Sequence, residues 1–320
     1  CWISIDRLSP SIFFPMIKVA VEPDCWRREA LVEAVEVAGG AVAAPGSAEA
    51  LVWAEPARAD LLPQMLNDNP KIDWVQLPYA GIEPFLEMLR SRPSLTWTCG
   101  KGVYAAPVAE HALALALAGL RGVASYANAK SWSEPIGKNL FGANITILGG
   151  GGITEHLIPL LKPFDCKITV VRNQLKAVQD ATEVVASQDL HSVLPSTDLL
   201  VLALALTPET EGIIGATELT LLPDDAWIIN VARGGHLVTE DLVKALREGS
   251  IGGAALDVTD PEPLPDGHPL WSFDNCLITP HIGNTPEMGL PLLAQRVTAN
   301  VRRRVSGADL IGLVDVDRGY

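Results

Sequence analysis

Cysteine is sparse in this chain and never forms a C-x-x-C pair. The five residues, Cys1, Cys25, Cys99, Cys166 and Cys276, are scattered and odd in number. That argues against a disulfide or zinc framework and for reduced thiols in a cytoplasmic protein. Each reads as a structural thiol rather than a nucleophile. No His/Cys/Asp/Glu cluster has metal-ligand spacing, so no metal is expected. Cations are also scarce. The 24 Lys and Arg stand against 38 Asp and Glu, a net charge of −14, the wrong sign for a nucleic-acid or anionic-membrane partner. Small anions remain open, because a local Arg or Lys can dominate a pocket. No apolar run is long enough to cross a bilayer. In AAPVAEHALALALAGLRG (105–122) only nine uncharged residues separate His111 from Arg121, where about 20 are needed.

What is present is an ordinary globular balance, 48% hydrophobic and 19% charged over 320 residues, enough for two domains. The opening CWISIDRLSPSIFFP (1–15) lacks the basic and small-residue features of a signal peptide. It reads as a non-native or disordered extension, a genuine extra arm being the alternative, with folding expected from Met16. From there β-branched runs alternate with Ala/Leu/Glu-rich stretches, the pattern of parallel sheets flanked by helices. Strands are expected at 17–23, 51–56, 72–78 and 95–100, and a helix at 28–40 closed by glycine. A long helix from about Pro107 leads into a second set of about six strands, at 145–150, 167–172, 198–206, 226–232, 253–258 and 276–281. The helical segment after Pro286 returns to the first domain.

The first strand of the second set runs into LGGGGIT (148–154). Gly149 and Gly151 occupy the first two positions of G-x-G-x-x-G, where bare backbone lets the chain turn and approach a pyrophosphate at a helix N-terminus. Gly152 and Ile153 open that helix, and Thr154 stands where a third glycine is usual. An NAD site places an acid about 20 positions on. Here Arg172 and Asn173 occupy that point, with Lys176 nearby. An arginine there suits a 2′-phosphate, so NADP is favoured over NAD, an exposed bystander arginine being the other reading.

Three further segments carry a cation, a carboxylate and an imidazole: Arg233 in INVARGG, Glu262 in LDVTDPEPLP and His281 in TPHIGNT. Singly, each has an ordinary reading as a surface charge, loop acid or loop histidine. At the ends of successive strands they form the set that reduces a 2-oxo acid. The remaining histidines, His111, His156, His191, His236 and His268, lack such company and read as structural or solvated.

This C-terminal region resembles the signature of the D-isomer-specific 2-hydroxyacid dehydrogenases. VQLPYAGIE (75–83) and APVAEHALALALAGLR (106–121) resemble that family's substrate loop and interdomain helix. The resemblance implies an α/β fold of two doubly wound parallel-sheet domains with a cleft between them. One would be a flavodoxin-like substrate domain (16–105 and 287–320), the other a Rossmann-type nucleotide domain (106–286). Arg233 would bind the substrate carboxylate and keto oxygen, His281 would protonate the carbonyl, and Glu262 would hydrogen-bond His281 and tune it. Asp257 would meet the nicotinamide carboxamide, with Ala205, Val231 and Ala232 also lining the cofactor. Tyr79, Ala80 and Gly81 would hold the substrate from the other domain. Tyr104 and Trp271 are further wall candidates. The implied activity is reduction of a small 2-oxo acid (glyoxylate, hydroxypyruvate or pyruvate type) by NAD(P)H to the D-2-hydroxy acid, in a homodimer. The alternatives are an NAD(P)-binding sensor or corepressor-like protein without turnover, and a degenerate relative in which Thr154 blocks the cofactor.

Overall fold

The structure, a computed structural model, describes residues 16–316; the expected extension at 1–15 lies outside them. The chain divides into two compact units, one built from the sequence up to Lys101 and from Leu290 onward, the other from Gly102–Gly289.

The first unit holds five strands, β1 (Lys18–Glu22), β2 (Ala41–Val42), β3 (Ala50–Trp53), β4 (Trp74–Gln76) and β5 (Thr96–Thr98), all parallel in the order β2-β1-β3-β4-β5. The strands are apolar along their length because helices cover both faces. Alternate residues therefore feed separate cores: Leu51 and Trp53 enter one, Ala50 and Val52 the other. Helix Arg28–Val37 turns Leu31, Ala34 and Val35 inward, the i, i+3, i+4 spacing of one helical face. Gly39, at φ +85°, then reverses the chain. From helix Pro286–Ser306, Leu293, Val297 and Val301 close the second core.

The second unit holds β6 (Asn144–Leu148), β7 (Lys167–Arg172), β8 (Glu183–Ala186), β9 (Leu199–Leu202), β10 (Trp227–Asn230), β11 (Gly253–Leu256) and β12 (Cys276–Ile278). They form one parallel sheet in the order β12-β11-β10-β9-β6-β7-β8. The same alternation separates Leu200 and Leu202 from Leu199 and Val201. The long helix is Ala105–Leu120, beginning two residues before Pro107. It buries Ala109, Ala112, Leu115, Ala116 and Leu120 within its own unit, so in-chain packing accounts for that apolar face.

Seven strands stand where about six were expected. The added β8 is an edge strand with partly exposed residues, so it carries little hydrophobic signal. Several strands are shorter than their apolar runs. β9 stops at Leu202, β11 at Leu256 and β12 at Ile278. The remainder of each run becomes a loop at the C-terminal edge of the sheet, and those loops carry the candidate site.

Candidate active site

The sheet order reverses between β6 and β9, and at such a switch point a crevice opens beyond the strand ends. Gly149 sits there at φ +106°. A Cβ on it would lie 2.3 Å from the Ala203 carbonyl oxygen beyond β9, so only glycine brings the two strand ends together. Helix Gly152–Leu161 follows, with no side chain capping its first turn. A Cβ at Gly151 would meet nothing within 4 Å. Bare amides beside open space at a helix N-terminus suit a pyrophosphate. Gly152 packs on the helix that begins at Ala105, whose Cβ would be 3.1 Å from an added Cβ.

Thr154, in the place of the usual third glycine, is fully buried, and its hydroxyl donates to the Gly149 carbonyl at 2.6 Å. The side chain closes the turn on itself. Ile153 is half-buried in the same first turn. Arg172 ends β7 and folds back over the Gly-rich turn: a Cβ at Gly150 would lie 2.9 Å from its Cδ and Nη1. Asn173 and Lys176 beside it are exposed. Ala205 is exposed and its carbonyl accepts from Thr210 Oγ1 at 2.8 Å. Val231 and Ala232 are buried.

Arg233 follows β10. Its Nη1 donates to the Ala232 carbonyl at 2.7 Å, and its own carbonyl accepts from Asn230 Nδ2 at 2.9 Å. The ring of His236 is 3.0 Å from the same carbonyl. Burial holds the His236 pKa below the ordinary imidazole value, which makes it a neutral support rather than a proton carrier. Gly234 fixes where this loop rests. A Cβ there would lie 2.0 Å from the Thr259 carbonyl group, so the Arg233 loop lies directly on the segment leading to Glu262. Glu262 Oε1 is 2.6 Å from His281 Nδ1, with both side chains about half exposed. His281 itself has φ +54°, a conformation that a non-glycine residue holds only with support from its surroundings.

Asp257 supplies that support. Its carbonyl accepts the His281 N–H at 2.8 Å. Its buried carboxylate accepts from Thr279 Oγ1 at 2.6 Å and from the N–H groups of Ile282 and Gly283, each at 2.8 Å. His111 Nε2 lies 3.2 Å from the carboxylate and 3.0 Å from Thr279 Oγ1. Burial alone would raise the Asp257 pKa, but the hydrogen bonds from His111, Thr279, Ile282 and Gly283 outweigh it and bring it down to about 2. Asp257 is thus a fixed anion. His111 and Thr279 were not singled out in the sequence as site residues. Their signal lies in a contact between positions 168 residues apart, which no local pattern reveals.

The fold therefore joins Glu262 to His281 and seats Arg233 on the neighbouring loop. Tyr79, Ala80 and Gly81 follow β4 in the other unit, with Tyr79 and Ala80 exposed. Tyr104 precedes helix Ala105–Leu120, and Trp271 Nε1 donates to the Pro265 carbonyl at 3.0 Å. Among the described residues no group of three or more His, Cys, Asp and Glu could hold a metal ion, and no helix is long and apolar enough to cross a membrane.

A parallel sheet with a glycine turn at its switch point defines a dinucleotide-binding α/β unit. Comparison with known proteins carries the assignment further. Residues 112–283 match the model of the D-isomer specific 2-hydroxyacid dehydrogenase, NAD binding domain. A Corynebacterium melassecola protein, called an uncharacterized protein in the proB 3′ region, is 40% identical over 264 residues, covering 81% of this chain and 87% of that one. The glyoxylate/hydroxypyruvate reductase A of Yersinia enterocolitica is 31% identical over 287 residues, covering 85% and 87%. Among solved structures, the D-isomer specific 2-hydroxyacid dehydrogenase of Xanthobacter autotrophicus, in complex with NADPH and MES, superposes with a TM-score of 0.81 at 25% identity, covering 96% of this chain and 100% of that one. The chain belongs to the D-isomer specific 2-hydroxyacid dehydrogenases, NAD(P)-dependent oxidoreductases.

Proposed function

We propose that the protein reduces a small 2-oxo acid of the glyoxylate or hydroxypyruvate type to the D-2-hydroxy acid. The observation that carries this reading is the 2.6 Å Glu262–His281 pair on a loop beside Arg233, in the unit that contains the Gly149 turn. The Yersinia relative, a glyoxylate/hydroxypyruvate reductase, supports it.

The backbone at Gly151, Gly152 and Ile153 would hold the cofactor pyrophosphate, and Ala205, Val231, Ala232 and Asp257 would line the rest of the cofactor. Bound NAD(P)H supplies the hydride. Arg233 holds the substrate carboxylate and draws charge onto the keto oxygen, a task suited to a planar guanidinium. His281 delivers a proton to that oxygen from Nε2, since Nδ1 faces Glu262. Glu262 pairs with His281 Nδ1 and fixes the orientation of the ring. Tyr79, Ala80 and Gly81 of the first unit are the residues that the family resemblance assigns to substrate binding.

NADPH is the favoured cofactor. Arg172 lies over the Gly-rich turn where a 2′-phosphate would need a cation, with Asn173 beside it. The NADPH bound to the Xanthobacter relative supports this choice. A homodimer is inferred from the exposed apolar side chains of Val123, Tyr126, Trp132, Ile136 and Phe141 along one stretch of chain. Free thiols at Cys25, Cys99, Cys166 and Cys276 support a cytoplasmic location. Cofactor oxidation by glyoxylate, hydroxypyruvate and pyruvate, with NADPH and NADH in parallel, tests the reading. Turnover favouring NADPH is expected, and turnover of none of these acids would refute it.

A further inference from the structure

Arg233 is held through its own main chain. Its carbonyl accepts from Asn230 Nδ2 at 2.9 Å and from the His236 N–H at 3.3 Å, and it lies 3.0 Å from His236 Nδ1. His236 is fully buried in the same unit, at the end of the short turn Gly234–His236. The backbone here is tied to the segment that follows β9. The His236 carbonyl accepts the Ile214 N–H at 3.0 Å, and the Gly235 carbonyl accepts that of Gly212 at 2.8 Å. The imidazole therefore stands on a fixed base and reaches back to the Arg233 main chain.

Its tautomer follows from its surroundings. Burial, with the nearby Arg233 cation, holds the ring below its ordinary pKa of 6.5 against the pull of the Ala205 and Arg233 carbonyls. A neutral ring has one proton to give. The Arg233 carbonyl can only accept, so that proton sits on Nδ1. Nε2 is left a bare acceptor, buried and without a hydrogen-bond partner. The Ala205 carbonyl cannot serve it, being an acceptor as well. An orphaned buried nitrogen costs stability, and a phenyl ring would fill the same space without one. What a phenyl ring lacks is the Nδ1–H. We infer that His236, through its Nδ1–H, is the positioning residue for Arg233 and thereby sets the affinity for the 2-oxo acid. The inference rests on the reading above, in which Arg233 binds the substrate carboxylate.

The test is kcat and KM for glyoxylate and hydroxypyruvate, NADPH affinity by titration, and melting temperature, in wild type, His236→Asn, His236→Gln and His236→Phe. Asparagine places an amide N–H where the imidazole has Nδ1. Glutamine places it nearer Nε2, and phenylalanine keeps a ring without a donor. His236→Gln and His236→Phe should raise KM for both acids about tenfold, with a smaller fall in kcat, because a displaced guanidinium loses substrate binding. NADPH affinity should change little. His236→Asn should keep KM within about threefold of wild type, since the donor to the carbonyl is retained. A merely structural His236 would lower the melting temperature and every kinetic constant without separating Asn from Gln, and that result would overturn the inference. In the wild type, nitrogen-15 NMR of the imidazoles, with the His236 signals identified by their loss in the variants, should show the proton on Nδ1. A proton on Nε2 at neutral pH would overturn the inference independently of the kinetics. An active wild type whose KM is unmoved in His236→Gln and His236→Phe would overturn the inference alone. A wild type inactive on both acids would overturn the functional reading and this inference with it.

Discussion

Asp257 holds His281 by the main chain: its carbonyl accepts the His281 N–H at 2.8 Å, while its carboxylate takes the N–H groups of the next two residues. One buried aspartate thereby sustains the positive φ at His281 and aims the imidazole at Glu262. The group that positions His281, the proposed proton donor, carries no proton itself at neutral pH.

That arrangement links stability to acid. The Asp257 pKa falls from the ordinary 3.8 to about 2 on folding. Its contribution, on the order of 2 kcal/mol, is therefore complete above about pH 4 and is lost as pH falls toward 2. Asp257→Asn should be less stable than wild type at pH 7, with the gap narrowing below about pH 4. Urea denaturation midpoints across pH 2–7 check this, and a pH-independent gap would contradict it.

Gly234 is the seat of the Arg233 loop. An added Cβ would enter the Thr259 carbonyl group, and backbone cannot move aside as a flexible side chain would. Gly234→Ala should cost about 1–3 kcal/mol and raise KM for the 2-oxo acid more than for the cofactor. Thermal denaturation and steady-state kinetics measure the two effects.

Arg172→Ala removes the cation over the Gly-rich turn. The expected result is a loss of about tenfold or more in kcat/KM for NADPH, with that for NADH little changed. Equal losses with both cofactors would make Arg172 a structural residue.

Glu262→Gln keeps an acceptor near His281 Nδ1 and removes the charge. The imidazole loses the carboxylate that orients it for proton delivery, so kcat should fall about 10- to 100-fold. Steady-state kinetics with thermal denaturation alongside distinguish this from a folding defect, which would lower the melting temperature as well as kcat.

Much of the candidate site was legible because its residues lie beside glycine and proline. Those residues mark where strands end, and strand ends are where a parallel sheet displays chemistry. Arg233, Glu262, His281 and the Gly149 turn all stand at such marks. Tertiary contacts left no such mark. His111 reaches Asp257 and Thr279 from a helix far away in sequence, and Arg27 reaches Tyr79 across 52 positions. β2 and β8 escaped notice because a two-residue strand and a half-exposed edge strand bury too little to pattern the sequence. Thr154 reads as a missing glycine in the sequence, whereas in the fold its hydroxyl finds the carbonyl of the turn it closes.

The most direct test compares wild type with His281→Ala for oxidation of NADPH by glyoxylate and hydroxypyruvate, with cofactor binding titrated alongside. The expected result is turnover by the wild type, unchanged cofactor affinity in the variant, and a loss of kcat of about 100-fold or more. Near-normal turnover in His281→Ala, or a wild type that binds NADPH yet reduces neither acid, would contradict the assignment.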